Sequence, residues 1–283
     1  MVISASRRCD IPRFAFDWFL ERLEAGFVEV KNPFNSRQLR RVSLDSPALF
    51  AFWTRDPASI LEHAGDLEKR GYDFFVMTTL TSYPAILEPN VPPAGTVIQT
   101  MCHLARKITP DRVIWRYDPL FLSNLTDFEF HYSNFAALAA SLNGAVKRVI
   151  VSVYDEYRAA ERRLAGLEAS GLQRLPHYCE NTGAKLLLPQ VKELLADLAG
   201  IARKEGMEIQ SCAEEDLSGY GIKAGACIDG EYIARLLGGK NPALPELRKD
   251  PGQKRSHCLC VQSVDIGSYG PCPAGCVYCY GAR

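Results

Sequence analysis

Residues 112–155, RVIWRYDPLFLSNLTDFEFHYSNFAALAASLNGAVKRVIVSVYD, carry the pattern that decides the fold. Two runs rich in Val and Ile, at 112–119 and 148–155, lie on either side of an amphipathic stretch at 127–144. Both runs are apolar without regular alternation, which is typical of strands buried on both faces of a parallel sheet. The segment therefore predicts a strand, a helix and a second strand parallel to the first.

The same alternation of strand and helix runs along almost the whole chain. Further strands are predicted at 2–6, 49–54, 73–80, 208–214 and 261–267, and further helices at 14–26, 56–71, 92–108 and 188–206. A hairpin at 27–44, turning around Asn32–Ser36, interrupts the alternation after the first helix. Repeated strand–helix units with right-handed connections predict an α/β fold, either a full or a partial (β/α) TIM-type barrel.

The chain is predicted to form one domain. Residues 238–257 have the composition of a loop leading to the last strand, and no change of composition marks a second unit. We therefore expect residues 1–257 to form the barrel body, and residues 258–283 to add the last strand and a cysteine-rich C-terminal loop to it.

Composition narrows the class of protein. Of the 283 residues 47% are hydrophobic, and 33 basic residues balance 33 acidic ones, so no general attraction to nucleic acid or anionic membrane is expected. No apolar run reaches the roughly 18 residues that cross a bilayer, and charged residues follow Met1 too closely for a secretory signal. We therefore expect a cytoplasmic protein, in whose reducing surroundings the ten cysteines are metal ligands or buried thiols rather than disulfides.

Candidate catalytic residues come from the ends of the predicted strands, because chemistry in such barrels gathers at the carboxyl ends. They are Arg7, Arg8, Asp10, Arg116, Asp118 and Glu214. Arg116 and Asp118 are two apart on one strand, so their side chains point to the same side and could orient a polar substrate group. The alternative is an internal ion pair without a ligand.

Three cysteines close to the C-terminus are the strongest candidate metal ligands. Cys272, Cys276 and Cys279 follow the spacing Cys-x3-Cys-x2-Cys within PCPAGCVYCYGAR. Three thiolates on one short loop suit a [4Fe-4S] cluster that keeps one iron without a protein ligand. The alternatives are a zinc site that borrows a fourth ligand, or thiols on an exposed tail.

Four other cysteines form a second candidate group. Cys258 and Cys260 precede the last predicted strand, Cys212 ends the strand before it, and Cys227 lies in the loop after that. Four thiolates from three segments predict a closed site, either for zinc or for a fully ligated iron–sulfur cluster. The alternative is that some of them are small buried apolar residues. The remaining cysteines, Cys9, Cys102 and Cys179, have no partner at a useful spacing and are interpreted as structural.

Two resemblances add to this interpretation. The segment GCVYCYGAR at 275–283 resembles the cluster loop of radical S-adenosylmethionine enzymes, in particular the spore photoproduct lyase-like branch, and residues 78–108 resemble the middle segment of that branch. The whole chain, from 1 to 281, resembles the family known as domain of unknown function 1848. That likeness is carried by SRRCDIP, KNPFN, FWT, EPNVPP, VIWRYDP, SCAEE, GIKAGACID and CLCVQSVDIGSYGPCPAGCVYCYG.

The first resemblance implies a cofactor and partners. It implies a [4Fe-4S] cluster on the three C-terminal cysteines, with Tyr278 among the cofactor-binding residues and S-adenosylmethionine on the open iron. It further implies radical chemistry on a substrate that the sequence does not identify, and an electron donor such as flavodoxin or ferredoxin. A nucleic-acid substrate follows only from analogy with the photoproduct lyase branch, and no membrane partner is expected.

Two features depart from those enzymes. Their cluster loop follows the first strand, whereas here it follows the last, as in a circularly permuted barrel. Their Gly-Gly-Glu at the end of the next strand, which holds the methionyl amine, is replaced here by SRRCD at 6–10. A second hypothesis is therefore a redox or non-catalytic iron–sulfur protein, or a zinc-binding barrel, that does not cleave S-adenosylmethionine.

Overall fold

The computed structural model of the chain describes residues 1–32, 35–47, 49–181, 184–238, 248–251 and 257–282. The strands are β1 (Val2–Ala5), β2 (Phe27–Asn32), β3 (Asn35–Ser43), β4 (Leu49–Thr54), β5 (Phe74–Thr79), β6 (Val113–Leu120), β7 (Arg148–Val153), β8 (Tyr178–Asn181), β9 (Ala184–Leu187), β10 (Glu208–Cys212), β11 (Lys223–Gly225) and β12 (Val264–Asp265). The helices are α1 (Ile11–Phe14), α2 (Phe16–Ala25), α3 (Ala58–Lys69), α4 (Ala94–Ile108), α5 (Phe128–Leu142), α6 (Arg158–Glu168), α7 (Pro189–Lys204) and α8 (Gly230–Leu237).

A parallel sheet of eight strands, in the order β11-β10-β7-β6-β5-β4-β1-β12, forms the centre of the molecule. The first and last strands of the chain are neighbours: Ile3 pairs with Val264 and Ser4 with Asp265. On its other side β1 pairs with β4 over its whole length. The predicted α/β fold with a parallel sheet is thus confirmed.

The sheet is open in the part of the chain that the structure describes. Its edge strands β11 and β12 do not pair with each other, so these residues do not form the full, closed barrel that was one of the two predicted forms. The physical reason lies in the two edges themselves. β11 has three residues and β12 has two, which leaves little ladder for a closing set of hydrogen bonds.

Each face of the sheet packs against different partners, because side chains alternate along a strand. Phe50 and Phe52 lie in the larger core with residues of α2, α3, α4, α5 and α7. Leu49, Ala51 and Trp53 lie in a second core with residues of α8 and of the segment 258–261. Most helices therefore cover the face of the sheet that bears Phe50 and Phe52. The face that bears Leu49, Ala51 and Trp53 packs against α8 and the segment that leads to β12.

Local sequence signals place the helices. Asp127 caps α5 by accepting a hydrogen bond from the backbone N–H of Phe130, and α2 ends at Gly26, whose φ of 75° is in the left-handed region. The predicted hairpin is β2 and β3, in which Val28 pairs with Val42. Its predicted turn residues 33–34, and most of the predicted loop 238–257, lie outside the described residues. In the described part of the chain, every helix is too short or too polar to pass through a bilayer.

Candidate functional site

The C-terminal cysteine loop packs against the loop that follows β5. The backbone N–H of Val277 donates to the carbonyl of Leu87 at 3.0 Å. Asn90 brackets the loop: its backbone N–H donates to Ala274 and its Nδ2 to Pro273, at 3.3 and 2.8 Å. The segment around EPNVPP, singled out by its resemblance, is therefore the surface on which the cysteine loop rests.

Glycine is required within the loop. Gly275 has a φ of 68°, and a Cβ there would lie 3.1 Å from the ring of Pro89. At Gly281 a Cβ would lie 2.9 Å from the carbonyl oxygen of Arg8. The backbone of the loop thus approaches both the segment after β5 and the segment after β1 more closely than a side chain permits.

Arg163 of α6 holds the backbone of the loop from the other side. Its guanidinium donates to the carbonyl oxygens of Val277 and Ala282, at 3.0 and 2.9 Å, and also to that of Cys279. One side chain thereby satisfies three main-chain acceptors that would otherwise lack partners. This role could not be predicted from local sequence, because Arg163 is 114 residues from Val277.

A buried polar cluster anchors the loop between its second and third cysteines. Glu88 accepts from Arg55 at 2.8 Å and also from Thr81 and Tyr278, all through Oε1. Arg55 further donates to the hydroxyl of Tyr278 at 2.5 Å. Burial raises the pKa of Tyr278 well above its ordinary value, so this hydroxyl stays neutral and donates. Tyr278, expected among the cofactor-binding residues, is here an internal anchor.

The three thiols of the loop differ in exposure but lie in one environment. Cys276 is buried, while Cys272 and Cys279 are half-buried, and each of the first two interacts electrostatically with the other thiols. Burial raises the pKa of Cys276 to about 11, and the neighbouring Arg55 opposes that rise. The Sγ of Cys279 accepts from the backbone N–H of Gly281 at 3.3 Å. The described cysteines are all free thiols.

The segment after β1 faces the same loop. The hydroxyl of Tyr280 donates to the carbonyl of Arg7 at 2.8 Å. Arg7 and Arg8 share one carboxylate, Asp265 of β12, at 3.7 and 3.9 Å. Asp265 also accepts from the hydroxyls of Ser4 and Ser6, at 2.8 and 2.7 Å. Sequence reasoning missed Asp265, whose only signal is a single acid within the apolar run of the last strand.

Asp10 lies between α1 and the end of β4. Its carboxylate caps α1 by accepting from Arg13, and it accepts from the backbone N–H of Arg55 at 2.8 Å. Burial raises the pKa of Asp10 to about 6, while these hydrogen bonds oppose the rise. Asp10 also interacts electrostatically with Cys272, so it belongs to the surroundings of the cysteine loop.

Arg116 and Asp118 point to the same side of β6 and form an ion pair, as their spacing predicts. Asp118 also accepts from Ser152 of β7, and Arg116 donates to the Sγ of Cys227 at 2.6 Å. These residues are therefore associated with the second cysteine group. Glu214 accepts from the backbone N–H of Val153 at 2.9 Å and is buried.

The second cysteine group is also brought together. The Sγ atoms of Cys212 and Cys227 are 3.1 Å apart, and both residues are buried. Cys260 is hydrogen-bonded to Cys227 and to Cys258, which extends the row to four thiols. As the described side chains stand, no three Cys, His, Asp or Glu residues are already arranged as a site for a metal ion.

The donor set of the C-terminal loop suits an iron–sulfur cluster. Soft thiolates are the ligands that such clusters take, and this loop offers three. The close backbone approaches at Gly275 and Gly281 fix the path of the loop on either side of Cys276 and Cys279. Cys272, Cys276 and Cys279 would hold the cluster.

The fold and site define an α/β protein with a parallel sheet and two groups of thiols. One group follows β12, and the other joins the ends of β10 and β11 to the segment before β12. Residues 2–281 match the family model described as "Domain of unknown function (DUF1848)", and the chain belongs to that family. The predicted family is thus confirmed. No curated protein matches the sequence.

One solved structure provides a distant comparison. It is of the pneumococcal virulence factor StrH, and it concerns inhibition of that protein and N-glycan recognition and hydrolysis. The alignment covers 83% of the present chain at 9% identity with a TM-score of 0.26, and the chain spans 62% of the length of that structure. A likeness at this level carries no argument about fold or function.

Proposed function

We propose that this chain is an iron–sulfur protein resembling radical S-adenosylmethionine enzymes, with a [4Fe-4S] cluster on Cys272, Cys276 and Cys279. The observation that carries the proposal is the way the cysteine loop is held. Tyr278, between two of the cysteines, is fixed by Arg55 and Glu88, and Arg163 binds the main chain on the other side. A loop held from both sides keeps its three thiols together at the carboxyl ends of the strands.

The chemistry that such a cluster supplies when bound is one-electron reduction of the sulfonium of S-adenosylmethionine, with electrons from a flavodoxin- or ferredoxin-type donor. The chain's own residues would bind and orient the ligand. Arg7 and Arg8 share the single carboxylate of Asp265, which leaves one positive charge in excess beside the loop. Their side chains are 22% and 20% exposed, so they can still pair with an anionic group of a ligand.

The proposal includes a partial barrel. The backbone N–H of Val261 donates to Ile228, three residues beyond β11, and Val264 pairs with Ile3 of β1. Even fully extended, three residues span only roughly 10 Å. In a flat sheet of eight strands, seven spacings of about 4.8 Å would put the edges roughly 34 Å apart. The short bridge between the two edges therefore supports a strongly curled sheet.

The proposal also includes a reducing, cytoplasmic location, which the free thiols of the described cysteines support.

The test is anaerobic reconstitution of the full chain with iron and sulfide, followed by addition of S-adenosylmethionine and dithionite. We expect a four-iron cluster and the release of 5′-deoxyadenosine. Cys276→Ser should lose both, whereas Cys102→Ser, on α4 and outside both groups, should keep both. Failure to assemble any cluster in the wild-type chain would overturn the proposal.

A second candidate function is a redox iron–sulfur protein that does not cleave S-adenosylmethionine. The observation in its favour is that Arg7 and Arg8 already have a carboxylate partner in Asp265, at the place where the enzymes resembled hold the methionyl group. The same experiment separates the two, because a stable cluster without 5′-deoxyadenosine would support this candidate alone.

A further inference from the structure

The four thiols of Cys212, Cys227, Cys258 and Cys260 lie where the two edges of the sheet approach each other. Cys212 is the last residue of β10, and Cys227 follows β11 by two residues. Cys258 and Cys260 belong to the segment just before β12. This segment is hydrogen-bonded to Ile228, which lies beyond β11. The group thus joins one edge of the sheet to the segment that continues as the other edge.

Between the residues that the structure describes on the two sides of this seam, few other links are seen. Across it, the backbone N–H of Val261 donates to Ile228 at 3.0 Å. On the side away from Ile228, the same segment pairs with residues 248–250. The backbone N–H of Asp250 donates to the carbonyl of Cys260, and the backbone N–H of Gln262 donates to the carbonyl of Arg248, both at 2.9 Å. Since β11 and β12 do not pair with each other, the described residues of the seam do not form the hydrogen-bond ladder that closes a barrel. An additional link here would stabilise the curled sheet.

The thiols have the burial of a closed site. Cys212, Cys227, Cys258 and Cys260 are between 3% and 8% exposed. They pack with Trp53, Ala226 and Ile228 in the second core, away from solvent. Structural metal sites are of this closed kind, with all ligands from the protein and no open position.

Two arginines face the thiols. Arg116 is buried and donates to the Sγ of Cys227 at 2.6 Å, and Arg7 interacts electrostatically with both Cys227 and Cys260. Neutral thiols are weak acceptors and need no counter-charge. A divalent ion on four thiolates carries a net charge of about −2, and buried charge of that kind needs cationic partners nearby. Arg116 and Arg7 are also paired with Asp118 and Asp265, and they place two guanidinium groups beside the thiols.

The distance between two of the thiols can be compared with the distance that a shared metal ion requires. Four sulfurs at about 2.3 Å from one tetrahedral ion lie roughly 3.8 Å from each other. The 3.1 Å between the Sγ atoms of Cys212 and Cys227 is within an ångström of that value. A four-iron cluster sits between its thiolates and keeps them much further apart. The one distance between Cys212 and Cys227 is therefore compatible with two thiols that share a metal ion.

We propose that Cys212, Cys227, Cys258 and Cys260 bind one zinc-type divalent ion, which fastens the two edges of the sheet together. Binding draws the row of thiols around the ion, with the metal's binding energy contributing to the stability of the fold. Arg116 is a positioning residue that holds the Sγ of Cys227 through its guanidinium. The proposal is independent of the cluster on the C-terminal loop.

The test uses the full wild-type chain, expressed with zinc and iron both present, and reads each metal at its own X-ray absorption edge. At the zinc edge we expect a shell of four sulfurs at about 2.3 Å. The iron edge reports separately on the C-terminal loop, so failure of either proposal leaves the other intact. Zinc bound through fewer than three sulfurs, or a chain without zinc, would overturn this one.

Variants provide the second measurement. In a chain carrying Cys272→Ser, Cys276→Ser and Cys279→Ser, added Co²⁺ should give the visible bands of tetrahedral thiolate coordination at one ion per chain. Adding Cys258→Ser and Cys260→Ser should abolish those bands, whereas the matched pair Cys102→Ser and Cys179→Ser should leave them unchanged. Arg116→Met should weaken binding roughly 10- to 100-fold with the same spectrum. A disulfide between Cys212 and Cys227 in the freshly isolated chain, with no Co²⁺ uptake after reduction, would contradict the proposal.

Discussion

At the residue scale, the structure places several polar side chains where their loss has a definite cost, and Glu88 is the clearest. It is 4% exposed, and its charge offsets the buried guanidinium of Arg55. We expect Glu88→Gln to lower the free energy of unfolding by about 3–5 kcal/mol, because the buried arginine is left without a counter-charge. Denaturation in urea measures the loss, with the exposed Glu21→Gln as the control.

A double variant checks that explanation. If the loss comes from the unpaired arginine, Arg55→Gln combined with Glu88→Gln should cost less than the two single changes added together. Simple additivity of the two losses would show that the pair does not act as a unit.

His131 of α5 gives a prediction of pH dependence. It is fully buried, its Nδ1 is 2.8 Å from the hydroxyl of Tyr117, and burial lowers its pKa to about 4. The unfolded chain therefore takes up this proton first as the pH falls from about 6.5 towards 4, and the folded state loses stability over that window. We expect a loss of about 2 kcal/mol by pH 5 relative to pH 7.5.

Comparison of variants isolates this contribution from other titrating groups. His131→Gln should remove that part of the pH dependence, whereas His103→Gln, at an exposed position of α4, should leave it in place. An unchanged pH profile in His131→Gln would show that another group is responsible.

At the scale of elements, β12 shows how two residues can form a strand. Its ladder is minimal, but Asp265 adds hydrogen bonds from Ser4, Ser6, Arg7 and Gly267, at 2.7 to 3.0 Å. Asp265→Asn keeps the shape of the side chain but replaces one acceptor oxygen with a donor. We expect a loss of about 3 kcal/mol or more, since bonds to a charged group are strong and the arginines lose their counter-charge.

The same variant should affect the cluster. If β12 leaves β1, the loop that follows it loses its support, so reconstituted iron per chain should fall together with stability. Asp66→Asn, at a side chain that is 65% exposed, serves as the control. Retained iron in a destabilised Asp265→Asn chain would show that the loop does not depend on β12.

The long elements could be predicted from the sequence and the short ones could not. β4 was predicted at 49–54 and is Leu49–Thr54, because a continuous apolar run bounded by turn residues is a strong local signal. β12 was predicted at 261–267 but is Val264–Asp265, since Val261 bonds instead to Ile228. β11, α6 and α8 were not predicted. β11 has three residues, which are too few to show a period, and helices were predicted only for longer amphipathic stretches than α6 and α8.

Some residues of the candidate sites could also be predicted from the sequence, and others could not. The two cysteine groups were found because their spacing is local or falls beside predicted strands. Glu88, Arg163 and Asp265 act through contacts with residues distant in sequence, and one chain without its fold does not reveal such contacts. The role of Tyr278 in binding a cofactor stays a prediction, and the contacts of its hydroxyl with Arg55 and Glu88 could not be predicted from the sequence.

At the scale of the whole molecule, the order of strands explains why a C-terminal loop can occupy a site next to β1. Among the described strands β1 is the first in chain order and β12 the last, and these two strands are parallel neighbours. A loop after β12 therefore emerges beside the segment after β1, as Tyr280 and Arg7 show by their hydrogen bond.

This relation predicts that the chain tolerates a circular permutation. A permuted chain would begin at His257, pass through β12 and the cysteine loop, and continue through a new linker into Met1, ending at Ser256. The linker must return along β1, and parallel strands need a connection of about a dozen residues or more. Every pairing of the sheet is kept, and the contacts of 248–250 with 260–262 need no covalent link between 256 and 257.

We expect the permuted chain to fold, to melt within a few degrees of the original, and to bind the same amount of iron and zinc per chain. Circular dichroism during heating and metal analysis provide the measurements. A second permutant, opened between Tyr117 and Asp118 inside β6, is the matched control and should not fold, because it divides a strand with neighbours on both sides. If the first permutant folded but lost its iron while keeping its zinc, the loop would depend on its original chain end, and the two thiol groups would be shown to assemble independently.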